Sequence, residues 1–136
     1  MPPAARKTDP VVATDTHIVA VPAPTGTVPT PLPHPFSGTL QTEVSTDVLI
    51  NQLGAATVGS VAINQPPHLP TPPGTSFLRP PSNRGSVQTG SPTVQINGKD
   101  AARLGDPVRT CNDPTDLPVG TIIGGSLDVQ IGSGSP

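Results

Sequence analysis

Apolar and polar residues alternate in short bursts rather than in long periodic runs. Val94-Gln95-Ile96 and Val129-Gln130-Ile131 both read apolar–polar–apolar, the period of a strand with one buried face. Asn97-Gly98 follows the first of these and is the preferred two-residue type I′ turn, so it predicts a hairpin returning through Ala101-Ala102. Asn51-Gln52 is a weaker turn at the same place after Val48-Leu49-Ile50. No segment sustains helical spacing between caps, so the pattern predicts an all-β fold.

The bursts belong to a repeat. Ser45 to Ser60 aligns without a gap on Ser91 to Asp106, sharing S-x-x-V-x-I-N, two small turn residues, and x-A-A-x-(V/L)-G. The same start recurs at Ser126-Leu127-Asp128-Val129-Gln130-Ile131-Gly132. Its missing half lies at the other end, where Pro3-Ala4-Ala5-Arg6-Lys7-Thr8-Asp9 matches Asp100-Ala101-Ala102-Arg103-Leu104-Gly105-Asp106. A third repeat split between the termini predicts that the two chain ends pair and close a ring of three lobes, unlike an open array with capping repeats. Paired alanines let three strands approach a common axis.

Composition changes this picture in one respect. The chain has 136 residues, enough for a single domain spanning 1–136, with 21 Pro, 14 Gly and two aromatic residues, Phe36 and Phe77. Pro and Gly together are about a quarter of the chain, which borders on the composition of a disordered Pro-rich linker or adaptor. Ordering costs about 1.5 kcal/mol per residue, and a core rich in Ala is thin against that. A bound metal or partner surface is the natural supplement. Net charge is −2, which offers no footprint for nucleic acid. No apolar run approaches ~18 residues, no secretory signal is visible, and the single Cys fits assembly in a reducing cytoplasm.

The candidate chemistry follows the repeat register. His17 and His68 each lie eight residues beyond the end of an Ala-Ala unit, at Asp9 and Ser60, and Cys111 lies five beyond Asp106. His34 ends the Pro-rich stretch from Pro22 to Pro35, expected to be the longest loop. These are all the His and Cys residues of the chain. Three imidazoles and a thiolate suit a tetrahedral Zn2+, or an Fe2+ of similar size. Four protein ligands leave no position for water, which points to a structural ion and away from a metal-dependent hydrolase. Taken singly, a His in a Pro-rich loop is usually solvated and a lone Cys is usually an inert hydrophobe. The spacing matches no zinc-finger pattern, and the repeat register is what favours a shared ion. Prolines around the histidines are expected to brace them. Asp9 and Asp106 read as turn acceptors, and no nucleophile motif or phosphate loop is present, so no enzyme is expected.

Pro3-Ala4-Ala5-Arg6 and its inner copy Asp100-Ala101-Ala102-Arg103 resemble the signature of proline-alanine-alanine-arginine (PAAR) repeat proteins. Asp15 to Phe36 and Thr110-Cys111-Asn112-Asp113-Pro114 resemble the PAAR tips of extracellular contractile injection systems, of the antifeeding-prophage and Photorhabdus virulence cassette type, and the similarity spans essentially the whole chain. The departures are Ser60 in place of a terminal Asp, and Lys99-Asp100 where Lys-Pro is common. The resemblance implies a conical tip, one per trimer, on a valine-glycine-repeat-type spike. It implies a metal near the apex held by His17, His34, His68 and Cys111. It also implies assembly into a released particle, transient contact with a target membrane, and room for a toxin cargo.

Overall fold

The three Ala-Ala pairs meet around one axis in the computed structural model, which describes residues 1–132. Ala5 N–H donates to Ala102 O at 3.0 Å, Ala102 N–H to Ala56 O at 2.9 Å, and Ala56 N–H to Ala5 O at 3.0 Å. A closed triangle of backbone hydrogen bonds results, and because all three residues are buried, opening it would strand amides away from water. Strand alternation sends neighbouring methyls to opposite sides. Ala5, Ala56 and Ala102 join Val11, Phe36, Leu40, Val108 and Ile122 in the larger core. Ala4, Ala55 and Ala101 join Ile50, Ile96 and Ile131 in a smaller one. Any larger side chain there would push the three backbones apart, so the sequence repeats alanine.

The chain ends build the third lobe together. Pro3 bridges Gln130, Ala4 N–H donates to Val129 O at 2.9 Å, and Ile131 N–H donates to Pro2 O at 2.9 Å. The equivalent bonds in the other lobes run from Ala55 to Val48 O and from Ala101 to Val94 O, both 3.0 Å. Each lobe opens with a serine whose Oγ accepts from the backbone N–H three residues on, Ser45 from Val48, Ser91 from Val94 and Ser126 from Val129. Each also closes with a turn acceptor. Asp9 and Asp106 accept from the N–H of Arg6 and Arg103 at 2.7 Å and pair with the same guanidinium groups. In the remaining lobe Ser60 Oγ accepts from Thr57 N–H at 2.9 Å, so an uncharged pair replaces a charged one with the turn intact.

The strands are β1 (Pro10–Ala23), β2 (Gly26–Thr42), β3 (Leu49–Ile50), β4 (Leu53–Gly54), β5 (Val61–Asn64), β6 (Ser76–Phe77), β7 (Arg84–Val87), β8 (Gln95–Ile96), β9 (Lys99–Asp100), β10 (Pro107–Thr110) and β11 (Leu117–Ile122). No helix occurs among the described residues. The all-β expectation therefore holds. β3/β4 and β8/β9 are the short hairpins of two lobes. Three further hairpins, β1/β2, β5/β7 and β10/β11, pair side by side in the order β11-β10-β7-β5-β2-β1. β1 pairs back to β11, closing the sheet, and β6 hangs on β1.

One expectation is corrected here. The stretch from Pro22 to Pro35 is not a loop; it lies in β1 and β2, which form one long antiparallel hairpin in a single register. The prolines explain how. Pro29, Pro31, Pro33 and Pro35 recur at a spacing of two, opposite Ala20, Ile18, Thr16 and Thr14. With no N–H to give, proline fits there because these are the pairs that exchange no hydrogen bonds. From Pro29 to Pro35 the outer edge of β2 thus offers no donors to a stray strand. The matching edge of β1 is occupied instead: Thr16 and Ile18 N–H donate to Asn112 Oδ1 and Asp113 Oδ2 at 2.7 and 2.9 Å.

Asn51-Gln52 turns with the same geometry as Asn97-Gly98, at φ +53° and +69° against +55° and +78°. Gln52 therefore holds a left-handed conformation that a side chain disfavours. Gln52→Gly is expected to raise stability by about 0.5–1 kcal/mol in chemical denaturation. An unchanged or lower midpoint would show that Gln52 carries no strain.

Candidate metal centre

The far ends of the three large hairpins meet at a buried polar cluster. β1 carries His17 and β2 carries His34, while His68 lies in the loop after β5 and Cys111 immediately follows β10. His17 and His34 are thus strand residues, where loops were expected. Alternation puts Asp15 and His17 on one face of β1, and His34 faces it as the direct cross-strand partner of Asp15. Every one of these side chains is buried.

The three imidazoles form a near-equilateral triangle. Ring centroids of His17, His34 and His68 lie 5.1, 5.4 and 5.7 Å apart. Three imidazoles on one tetrahedral ion with metal–nitrogen bonds of about 2.1 Å would have centroids about 5.3 Å apart. Asp15, His17, His68 and Cys111 each bring a ligand atom within 4.8 Å of the others. His34 sits beside this group with both ring nitrogens occupied: Nδ1 faces Leu32 O at 2.8 Å, and Nε2 accepts the Thr71 N–H at 3.1 Å. The structure therefore gathers His17, His68 and Cys111 with Asp15, and holds His34 against the same cluster by backbone bonds. The Pro-rich loop does brace it, since Thr71 also donates its hydroxyl to Pro33 O at 2.7 Å.

His17 is the observation by which these residues fit a metal. Its ring is 1% exposed, and neither nitrogen has a hydrogen-bond partner among the described residues. Nδ1 lies 3.4 Å from Asp113 Oδ2, near enough for electrostatic attraction but not aligned as a hydrogen bond. An orphaned buried imidazole is costly, and an ion among imidazole, thiol and carboxylate donors would satisfy it. Burial lowers the pKa of His17 and of His34, keeping both in the neutral form that binds metal. Burial first, then the charge of Asp15, push the Cys111 thiol up to about 11. Metal binding would have to displace that proton. Burial also works against the Asp113 carboxylate, but the Ile18 N–H, His17 and Arg79 outweigh it and hold its pKa below the usual range.

Asp15 escaped a sequence reading that counted only His and Cys. Its signal was present: it stands two residues before His17 in a strand, on the same face.

Residues 79–136 match the family model of the PAAR motif. The chain thus carries a PAAR motif over its C-terminal 58 residues. The matched region holds the complete inner repeat, Cys111 and the start of the third repeat. No curated protein matches the chain. Of the buried cluster only Cys111 falls within the match, whereas Asp15, His17, His34 and His68 precede it.

Depressed histidine pKa values make the metal-free protein acid-sensitive. The unfolded chain takes up protons on these rings near pH 6.5, whereas the folded protein resists until lower pH. This stability is fully present above that value and is lost as pH falls through it. The chelated protein is expected to melt at a clearly lower temperature at pH 5.5 than at pH 7.5. Equal melting temperatures would mean that His17 and His34 are not held neutral.

Proposed function

We propose that this protein is the tip of a bacterial contractile injection apparatus, seated one per trimer on a valine-glycine-repeat-type spike and pinned by one structural Zn2+ or Fe2+. The closed ring of three lobes within a single chain carries this reading. One chain with internal three-fold repetition can meet all three strands of a symmetric trimer end at once, covering β edges that would otherwise stay open.

The face for such docking lies beyond the alanine layer, away from the metal cluster. There the repeats expose apolar side chains, Val48 and Val129 at equivalent places and Leu49 at 59% and Leu127 at 99% exposure besides, around the buried Ile50, Ile96 and Ile131. The opposite end suits entry into an envelope. Residues 16–42 contain no Asp, Glu, Lys or Arg, so a leading β1/β2 hairpin would desolvate no formal charge. Its prolines also remove backbone donors that would go unpaired in lipid. Proteins of the PAAR motif are structural tips and not enzymes, and the buried cluster suits that role, with a metal locking three hairpin ends together. The sequence resemblance supports a released particle of the antifeeding-prophage type, assembled in the bacterial cytoplasm, with space for a toxin cargo.

Two measurements test this. Native mass spectrometry of the tip with its cognate spike should show one tip per spike trimer, and Leu127→Asp should weaken the complex at least about tenfold. Absence of a complex, or three tips per trimer, would overturn the capping reading. Metal analysis should find one ion per chain, absent in Cys111→Ala, and chelation should lower the melting temperature by about 10 °C or more. Full metal content in Cys111→Ala would remove Cys111 from the ligand set.

A further inference from the structure

Asp15 is a fully buried carboxylate, at 0% exposure, with no arginine or lysine beside it among the described residues. Its Oδ1 accepts from Thr110 Oγ1 at 2.5 Å and from Asn112 Nδ2 at 3.4 Å. Its Oδ2 lies 2.8 Å from His68 Nε2 and 3.5 Å from Cys111 Sγ. Asp113 provides the contrast: also buried, it has the Arg79 guanidinium at 2.7 Å. Burying an anion without a cation is among the costliest arrangements in a protein interior. Among the described residues, the one side chain hydrogen-bonded to Asp15 that can carry a positive charge is His68, and only when protonated; a metal ion would supply the cation while leaving His68 neutral to bind it.

Charge counting says which cation. A divalent ion held by one thiolate and neutral imidazoles leaves one net positive charge in a buried site. Adding one carboxylate brings the sum to zero. We propose that Asp15 is the second anion of the metal centre, balancing a divalent ion jointly with the Cys111 thiolate through Oδ2. Thr110 and Asn112 hold Oδ1 as hydrogen bonds from an outer layer commonly hold a metal-binding carboxylate. The same balance discriminates against a monovalent ion such as Cu+, which would leave the centre with a net negative charge. This assignment rests on the metal reading above and adds to the His and Cys ligands drawn from the sequence.

Asp15→Asn tests it, because the shape is kept and the charge removed. In chelator competition on the intact protein, the Zn2+ dissociation constant is expected to rise about 10–100-fold, with the preference for Zn2+ over Cu+ reduced. The Co2+-substituted protein should show shifted visible absorption bands in the variant. Thr110→Val, nearly isosteric, should weaken Zn2+ in the same direction by a smaller factor, and it serves if Asp15→Asn does not fold. A wild-type protein that holds no stoichiometric metal would defeat the metal reading itself. A wild-type protein that binds metal, with unchanged affinity and Co2+ spectrum in both variants, would defeat only the role of Asp15.

Discussion

Three backbone hydrogen bonds, passed from alanine to alanine around an axis, fix this molecule. Each links a different pair of lobes, so the triangle closes only when all three lobes are present. The split repeat is the means: the third lobe exists only when the N-terminal Pro2–Arg6 segment meets Val129–Ile131. Such contacts span nearly the whole chain and carry a large loop-closure cost. Methyl side chains on both sides of the triangle are what allow the close approach, and they also leave each core small.

From this shared base the lobes diverge. β10/β11 is short, β5/β7 holds a long Pro-rich loop, and β1/β2 is one extended hairpin. The lobes nevertheless bring chemistry to one place, because each hairpin leaves the ring at an equivalent point. Proline serves opposite ends in the two longer lobes. In β2 it occupies alternate positions and silences an exposed edge. In the Pro66–Pro73 loop it stiffens a segment whose Thr71 grips Pro33 and His34.

Electrostatics separates the two ends of the fold. Charges near the alanine layer are paired within tight turns, Arg6 with Asp9 and Arg103 with Asp106. The hairpin ends bury a carboxylate with no arginine or lysine beside it, an orphaned imidazole and a thiol held protonated by its surroundings. In isolation each is unfavourable. Together they form a site whose members become compatible around one divalent cation, so the same ion that satisfies the polar groups ties together the strands bearing them.

The sequence by itself determined the three-lobed ring, because repeat register and turn chemistry are local and survive in one dimension: the Ala-Ala-Arg copies, Asn97-Gly98 and the split third unit were all readable. It also marked His17, His34, His68 and Cys111 as a group, since three of them recur at matching points beyond each repeat and His34 completes the set. Only the tertiary structure decided that Pro22 to Pro35 is strand. Proline-rich composition argues for a loop, and the period of two has meaning only once β1 lies alongside to define which edge faces outward. The place of Asp15 and the backbone bonds of His34 were likewise decided in three dimensions. A carboxylate is too common a residue to signal a site until burial leaves it with only histidine, thiol, hydroxyl and amide neighbours, and burial is a property of the packed chain.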